Sequence, residues 1–120
     1  MMRNLLVLTV AVLLSACVTT EVGENPSPAA NQLEAAQLNL DLGVSYFRQG
    51  NMTASREKLE KAIVQNPKLS GAYRILGLVY QELGDPAEAE KQYLKSVRLT
   101  DNNVDSLNDY AGFLCFDRRE

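Results

Sequence analysis

The 120-residue chain has no histidine, no tryptophan and only two cysteines. Without imidazole it lacks the side chain most often used as a general base and metal ligand near neutral pH. Acid–base work would fall to carboxylates. Glu57, Glu60, Glu88 and Glu90 stand beside Lys58, Lys61 and Lys91 at helical spacing, where solvated ion pairing accounts for them. No glycine-rich phosphate loop and no metal-ligand cluster is present. Nor is there a stripe of basic charge: Arg56, Lys58 and Lys61 alternate with Glu57 and Glu60, and the formal net charge is -3, so nothing is built to neutralise a phosphate backbone. These absences point away from an enzyme, a cofactor, a metal site and a nucleic-acid partner.

The long apolar run, Leu5 to Leu14, is interrupted only by Thr9 and preceded by Arg3. Ten residues rise only about 15 Å as a helix, half of a roughly 30 Å hydrocarbon core, so the run reads as a secretory signal over 1–16 and not as a permanent membrane span. The residues that end it, Leu14-Ser15-Ala16-Cys17, resemble the lipobox of bacterial lipoproteins. The resemblance implies cleavage before Cys17 and acylation of its thiol, with acyl chains such as palmitate holding the mature chain on its membrane. Val18 in place of an acidic residue resembles lipoproteins sent to the outer membrane, which implies a lipid-anchored position on its periplasmic face. Loss of Arg3 leaves 11 Lys plus Arg against 15 Asp plus Glu, a net of -4. With Cys17 acylated, Cys115 has no intramolecular partner, so the fold must stand without a disulfide. Its helical spacing from Tyr110 and Leu114 favours a small buried hydrophobe over a redox thiol.

Residues 17–31 are expected to form the lipidated cysteine and a flexible tether. Val18 to Ala30 carries Gly23, Pro26 and Pro28 without apolar periodicity, and about thirteen such residues reach roughly 20 Å. From Asn31 the pattern is helical, and laying the chain on itself with a shift of 34 shows a repeat. Leu42-Gly43 with Tyr46 returns as Leu76-Gly77 with Tyr80; Gly50-Asn51 returns as Gly84-Asp85; Ser55, Leu59 and Ala62 return as Ala89, Tyr93 and Ser96. Leu42 and Tyr46 share a helix face, as do Leu76 and Tyr80. Gly43 and Gly77 remove a side chain where a second helix must approach, against a helix-propensity cost of about 1 kcal/mol. Gly50 and Gly84 mark helix ends, and Asp85-Pro86-Ala87-Glu88 marks a start, with Asp85 as N-cap and Glu88 placed for a capping box.

This order of small and large residues over 34 positions resembles the tetratricopeptide repeat. It implies an all-α helical-hairpin array over 32–120, with repeats at about 36–69 and 70–103 and an incomplete one at 104–120. Asn39, where the motif prefers a large aromatic, and Asp101, in place of Pro67, depart from the pattern. Five helices are expected, at about 32–49, 53–65, 70–83, 87–99 and 104–117. About two and a half repeats make a marginal array. Phe113, Leu114 and Phe116 are expected to form an exposed apolar patch on the last helix.

In such arrays the first helix of each pair lines a concave groove. The resemblance puts groove positions at Leu40, Val44, Phe47 and Arg48, at Arg74, Leu78 and Gln81, and at Asn108, Gly112 and Cys115. Packing against the tether or the next helix is an equal account of Leu40 and Phe47. The lysine and asparagine pattern by which chaperone-binding relatives grip a C-terminal carboxylate is absent. Lipobox, tether and immediate repeats together resemble the PilF/PilW family of type IV pilus biogenesis and stability lipoproteins. The segments Leu38-Asn39-Leu40-Asp41-Leu42-Gly43 and Leu107-Asn108-Asp109-Tyr110-Ala111-Gly112-Phe113-Leu114-Cys115 carry that likeness. It implies a pilotin-like adaptor whose partner is the pilus secretin, assisting its membrane insertion and multimerisation. Family members usually run on for several more repeats, so the chain reads as a shortened version. The alternatives are a general envelope-assembly scaffold, or a fragment with impaired function.

Overall fold

The computed structural model describes residues 25–99 and 104–117. The signal and Cys17 expectations, most of the tether, Asp101 and the terminal Arg118-Arg119-Glu120 lie outside the described residues. The described residues form five helices: α1 (Pro28–Arg48), α2 (Met52–Gln65), α3 (Ser70–Glu82), α4 (Pro86–Leu99) and α5 (Val104–Asp117).

Local signals account for most boundaries. α1 starts four residues before the expected 32, which corrects the tether reading at its end. Ser27 is the N-cap, its Oγ accepting from the Ala30 N–H at 3.2 Å, and Pro28 occupies the first turn, where its missing N–H costs nothing. α1 and α3 end alike. Gly50 and Gly84 adopt φ of 77° and 75°, Gly50 N–H donates to Phe47 O and Asn51 N–H to Tyr46 O; Gly84 and Asp85 repeat this with Gln81 and Tyr80. That is the Schellman pattern, in which the left-handed glycine lets two orphan carbonyls be satisfied. The next helix begins at once, because Asn51 accepts from Ala54 N–H and Asp85 from Glu88 N–H, both at 3.1 Å. The expected capping box is only half made: the Glu88 carboxylate accepts from Lys91 and Gln92, while Asp85 N–H is already committed to Tyr80 O. α2 ends at Gln65, and its C-cap Asn66 is extended at φ -142° ahead of Pro67, as the ring of a following proline requires.

The helices pack as consecutive hairpins, α1 on α2 and α3 on α4, with α2 on α3 and α4 on α5 joining them. A Cβ added to Gly43 would stand 2.7 Å from Leu59 Cγ, and one on Gly77 2.7 Å from Tyr93 Cε1. Those glycines therefore let the hairpin partners close. Leu59, Ala62, Ala72, Ile75, Leu76 and Val79 form one buried cluster and Ala89, Tyr93 and Phe113 a second. Small polar residues sit in these tight contacts with their hydroxyls satisfied. Ser55 Oγ donates to Gly43 O at 2.7 Å, and Ser96 Oγ to Ser70 O at 3.0 Å, which leaves Ser106 to donate to Ser96 across 2.7 Å. Asn39 is buried too, its amide donating to Ala35 O and to Gln65 Oε1 at 2.8 Å. The motif's aromatic is thus replaced by a polar link between α1 and α2.

Candidate protein-binding groove

The first helices of the three units, α1, α3 and α5, share one side of the array. On α1, Leu40, Val44 and Phe47 are half-buried and packed against the first core cluster, and Leu40 Cδ2 stands 3.2 Å from where a Gly71 Cβ would be. Much of their apolar surface is spent on seating α3 against α1. Arg48 is exposed.

The α3 and α5 positions come together differently. Leu78, Gln81, Asn108, Gly112 and Cys115 line a single open cleft of about 430 Å³ between these helices. At its side Arg74 donates through Nη1 to Asp109 Oδ2 at 2.7 Å, with each side chain about a quarter exposed (28% and 25%). The pair bridges the two helices and leaves the cleft wall without net charge. Gln81 is positioned from below: the Tyr93 hydroxyl donates to its Oε1 at 3.0 Å, so its NH2 remains available as a donor. Burial, with Asp109 adding to it, pushes the Tyr93 hydroxyl well above its ordinary pKa, which keeps this donor protonated. A Cβ on Gly112 would meet nothing within 4 Å, so the cleft continues over that residue. The site offers amide donors and acceptors over an apolar floor, which suits a peptide segment.

Two expectations about α5 are corrected. Phe113 is buried (3% exposed), its ring 5.3 Å from that of Tyr93 and 6.4 Å from that of Tyr110, and Leu114 is half-buried; only Phe116, at 56%, is exposed. Cys115 is an exposed free thiol, not a buried hydrophobe. Sequence reasoning also missed Asp109 and Tyr93 as groove-shaping residues. The signal for Asp109 was there: it carries the charge opposite to Arg74 at one repeat plus one residue.

Of the carboxylates weighed for catalysis, Glu60, Glu88 and Glu90 are held in ordinary surface contacts. Glu60 lies 3.9 Å from Arg56 and accepts from the Tyr80 hydroxyl at 3.4 Å, and Glu90 accepts from the Tyr110 hydroxyl at 3.1 Å. Hydrogen bonds from Lys91 and then Gln92 hold Glu88 below the usual carboxylate range. No group of metal-ligating side chains occurs among the described residues.

Comparison with known proteins follows the same lines. The tetratricopeptide-repeat pattern matches residues 29–70 and again 40–104. Type IV pilus assembly protein PilF of Pseudomonas aeruginosa is 32% identical over 118 residues, 98% of this chain and 46% of PilF. An uncharacterised protein of Haemophilus influenzae is 27% identical over 88% of this chain and 56% of its own length. The chain therefore spans about half the length of these relatives. A solved structure of P. aeruginosa PilF superposes with a TM-score of 0.71 at 30% identity, covering 74% of this chain and 40% of that one. Repeat period, hairpin geometry and these matches agree: the chain belongs to the tetratricopeptide-repeat family and is of PilF type over the part of that protein it spans.

Proposed function

We propose that the chain is a protein-binding adaptor in type IV pilus assembly, anchored by lipid on Cys17 to the periplasmic face of the outer membrane, where it assists insertion and multimerisation of the pilus secretin. The observation that carries this is the 32% identity to PilF along 98% of the chain. The α3–α5 cleft supports a binding role, with the Gln81 NH2 and the Asn108 amide placed to engage a partner's backbone. Lipid anchoring rests on the sequence Leu14-Ser15-Ala16-Cys17. Two or three acyl chains there would hold firmly, since each buried methylene contributes about 0.8 kcal/mol.

The test is to express the chain in a strain lacking its PilF-type lipoprotein and to measure heat-resistant secretin multimers in outer membranes. Their return is expected, together with its loss in Cys17→Ser, which should also abolish labelling by radioactive palmitate. If the protein is present at normal level and multimers do not return, the pilus proposal fails for this chain. Cross-linking to a different set of envelope proteins would then favour a general assembly scaffold.

A further inference from the structure

On the far side of α4 from Tyr93, Lys91, Lys95 and Arg98 stand four and three residues apart, on one stripe of the helix. They border a shallow cleft of about 270 Å³ floored by Tyr73 and Gln92, and no carboxylate among the described residues lines it. Lys91 is paired with Glu88 at 3.1 Å. Lys95 and Arg98 form no ion pair with any described residue; the Lys95 ammonium rests 6.0 Å from the Tyr73 ring centroid. The stripe is not a by-product of a basic chain, because the net charge is -3. It also does not belong to the repeat: the corresponding positions on α2 are Glu57, Lys61 and Val64, which sum to zero.

The polar groups of the floor are already used. The Tyr73 hydroxyl donates to Pro67 O at 3.0 Å and the Gln92 amide to Glu88 at 2.9 Å, so no donors converge on a point where one phosphate could be held. The charges instead spread along about 10 Å of exposed helix, at 1.5 Å of rise per residue. Such a strip matches a plane of repeated phosphates better than a single ion. We infer that the Lys91–Lys95–Arg98 stripe is a contact surface for an anionic phospholipid bilayer, and that it lays the second hairpin on the membrane with the α3–α5 cleft turned away. The choice of occupant rests on the membrane-anchored reading above. The stripe itself does not depend on lipid at Cys17 or on any pilus component.

The experiment is flotation of the full chain carrying Cys17→Ser with vesicles of phosphatidylcholine alone or mixed with phosphatidylglycerol. The N-terminal apolar run contributes to both, so the difference between them reads charge. Anionic vesicles are expected to bind roughly twenty-five-fold more tightly at low salt, from about fivefold for each of the two unpaired cations. The increment should collapse near 1 M salt, where the screening length is about 3 Å. The double variant Lys95→Gln/Arg98→Gln should lose it while keeping its helical circular dichroism. Equal partition to both vesicles, or an increment that survives the double variant, overturns the proposal. So does displacement by inorganic phosphate beyond that of sodium chloride at equal ionic strength, which would mean a site for single phosphate ions. Secretin multimers play no part in this readout, so its failure and that of the pilus reading are separable.

Discussion

The first and second hairpins carry the same motif, yet their leading helices live in different surroundings. On α3 the face formed by Ala72, Ile75, Leu76 and Val79 is buried, at 0%, 6%, 3% and 0% exposure, because it packs against α2. One period earlier the same positions on α1 are Leu38, Asp41, Leu42 and Ser45. No described helix precedes α1, and Leu38 and Leu42 are 60% and 37% exposed. The polar substitutions follow from this. Asp41 and Ser45 interrupt what would otherwise be an apolar stripe facing water, as repeat arrays do at their ends. A motif position therefore has no fixed energetic weight; the neighbour that covers it supplies the weight.

Truncation should separate the two hairpins most sharply. Leu76→Ala empties a fully packed site and is expected to cost about 3 kcal/mol, whereas Leu42→Ala at the equivalent position should cost less than about 1 kcal/mol. Urea unfolding of the two variants side by side checks this, and equal losses would mean that α1 is covered in solution.

Next come the paired glycines. At Gly77 an added methyl meets three ring atoms of Tyr93 within 3.0 Å, and that ring is held by the Gln81 hydrogen bond and by Phe113. At Gly43 it meets Cγ and Cδ2 of Leu59, an aliphatic side chain that no hydrogen bond holds in place. Gly77→Ala should destabilise by about 2 to 3 kcal/mol and Gly43→Ala by about 1 kcal/mol less. Thermal melts that rank them the other way would show Leu59 to be the stiffer neighbour.

The second hairpin should also be the one that responds to pH. Tyr93 replaces Leu59 of the first, and its folded pKa is raised, chiefly by burial. Its stabilising contribution is fully present below the unfolded value near 10 and is lost as pH rises through the folded one. Tyr93→Phe should flatten the alkaline fall in stability, while losing about 1 kcal/mol at neutral pH with the hydrogen bond to Gln81. Smaller still is the effect of Glu88, where the first hairpin has Ala54. Its folded pKa is lowered, so its contribution is present above about 4.3 and is lost as pH falls through the folded value. Glu88→Gln should make the acid limb slightly shallower, and an unchanged limb would mean that the Lys91 and Gln92 contacts are transient.

Helix number, hairpin pairing and most ends were legible in the residue order because their causes are local. A glycine at φ near +76° stops a helix whatever lies beyond it, an Asn or Asp directly after it caps the next, and the 34-residue period repeats the instruction. Even the misplaced start of α1 had a local cause, in Ser27-Pro28, that the linker-like composition around it hid.

The face each α5 side chain takes was not legible in this way. Successive residues turn about 100° on a helix, so Phe113 and Cys115, two apart, point to nearly opposite sides. Composition alone leaves either as the buried one. Tyr93 of α4 settles the matter by offering an aromatic surface 5.3 Å from the Phe113 ring, which turns Cys115 outward into the α3–α5 cleft and brings Asp109 to Arg74. Periodicity specifies the hairpins; contacts between residues a full repeat apart orient the groove, because only a neighbouring helix can choose which face of an evenly apolar helix is covered.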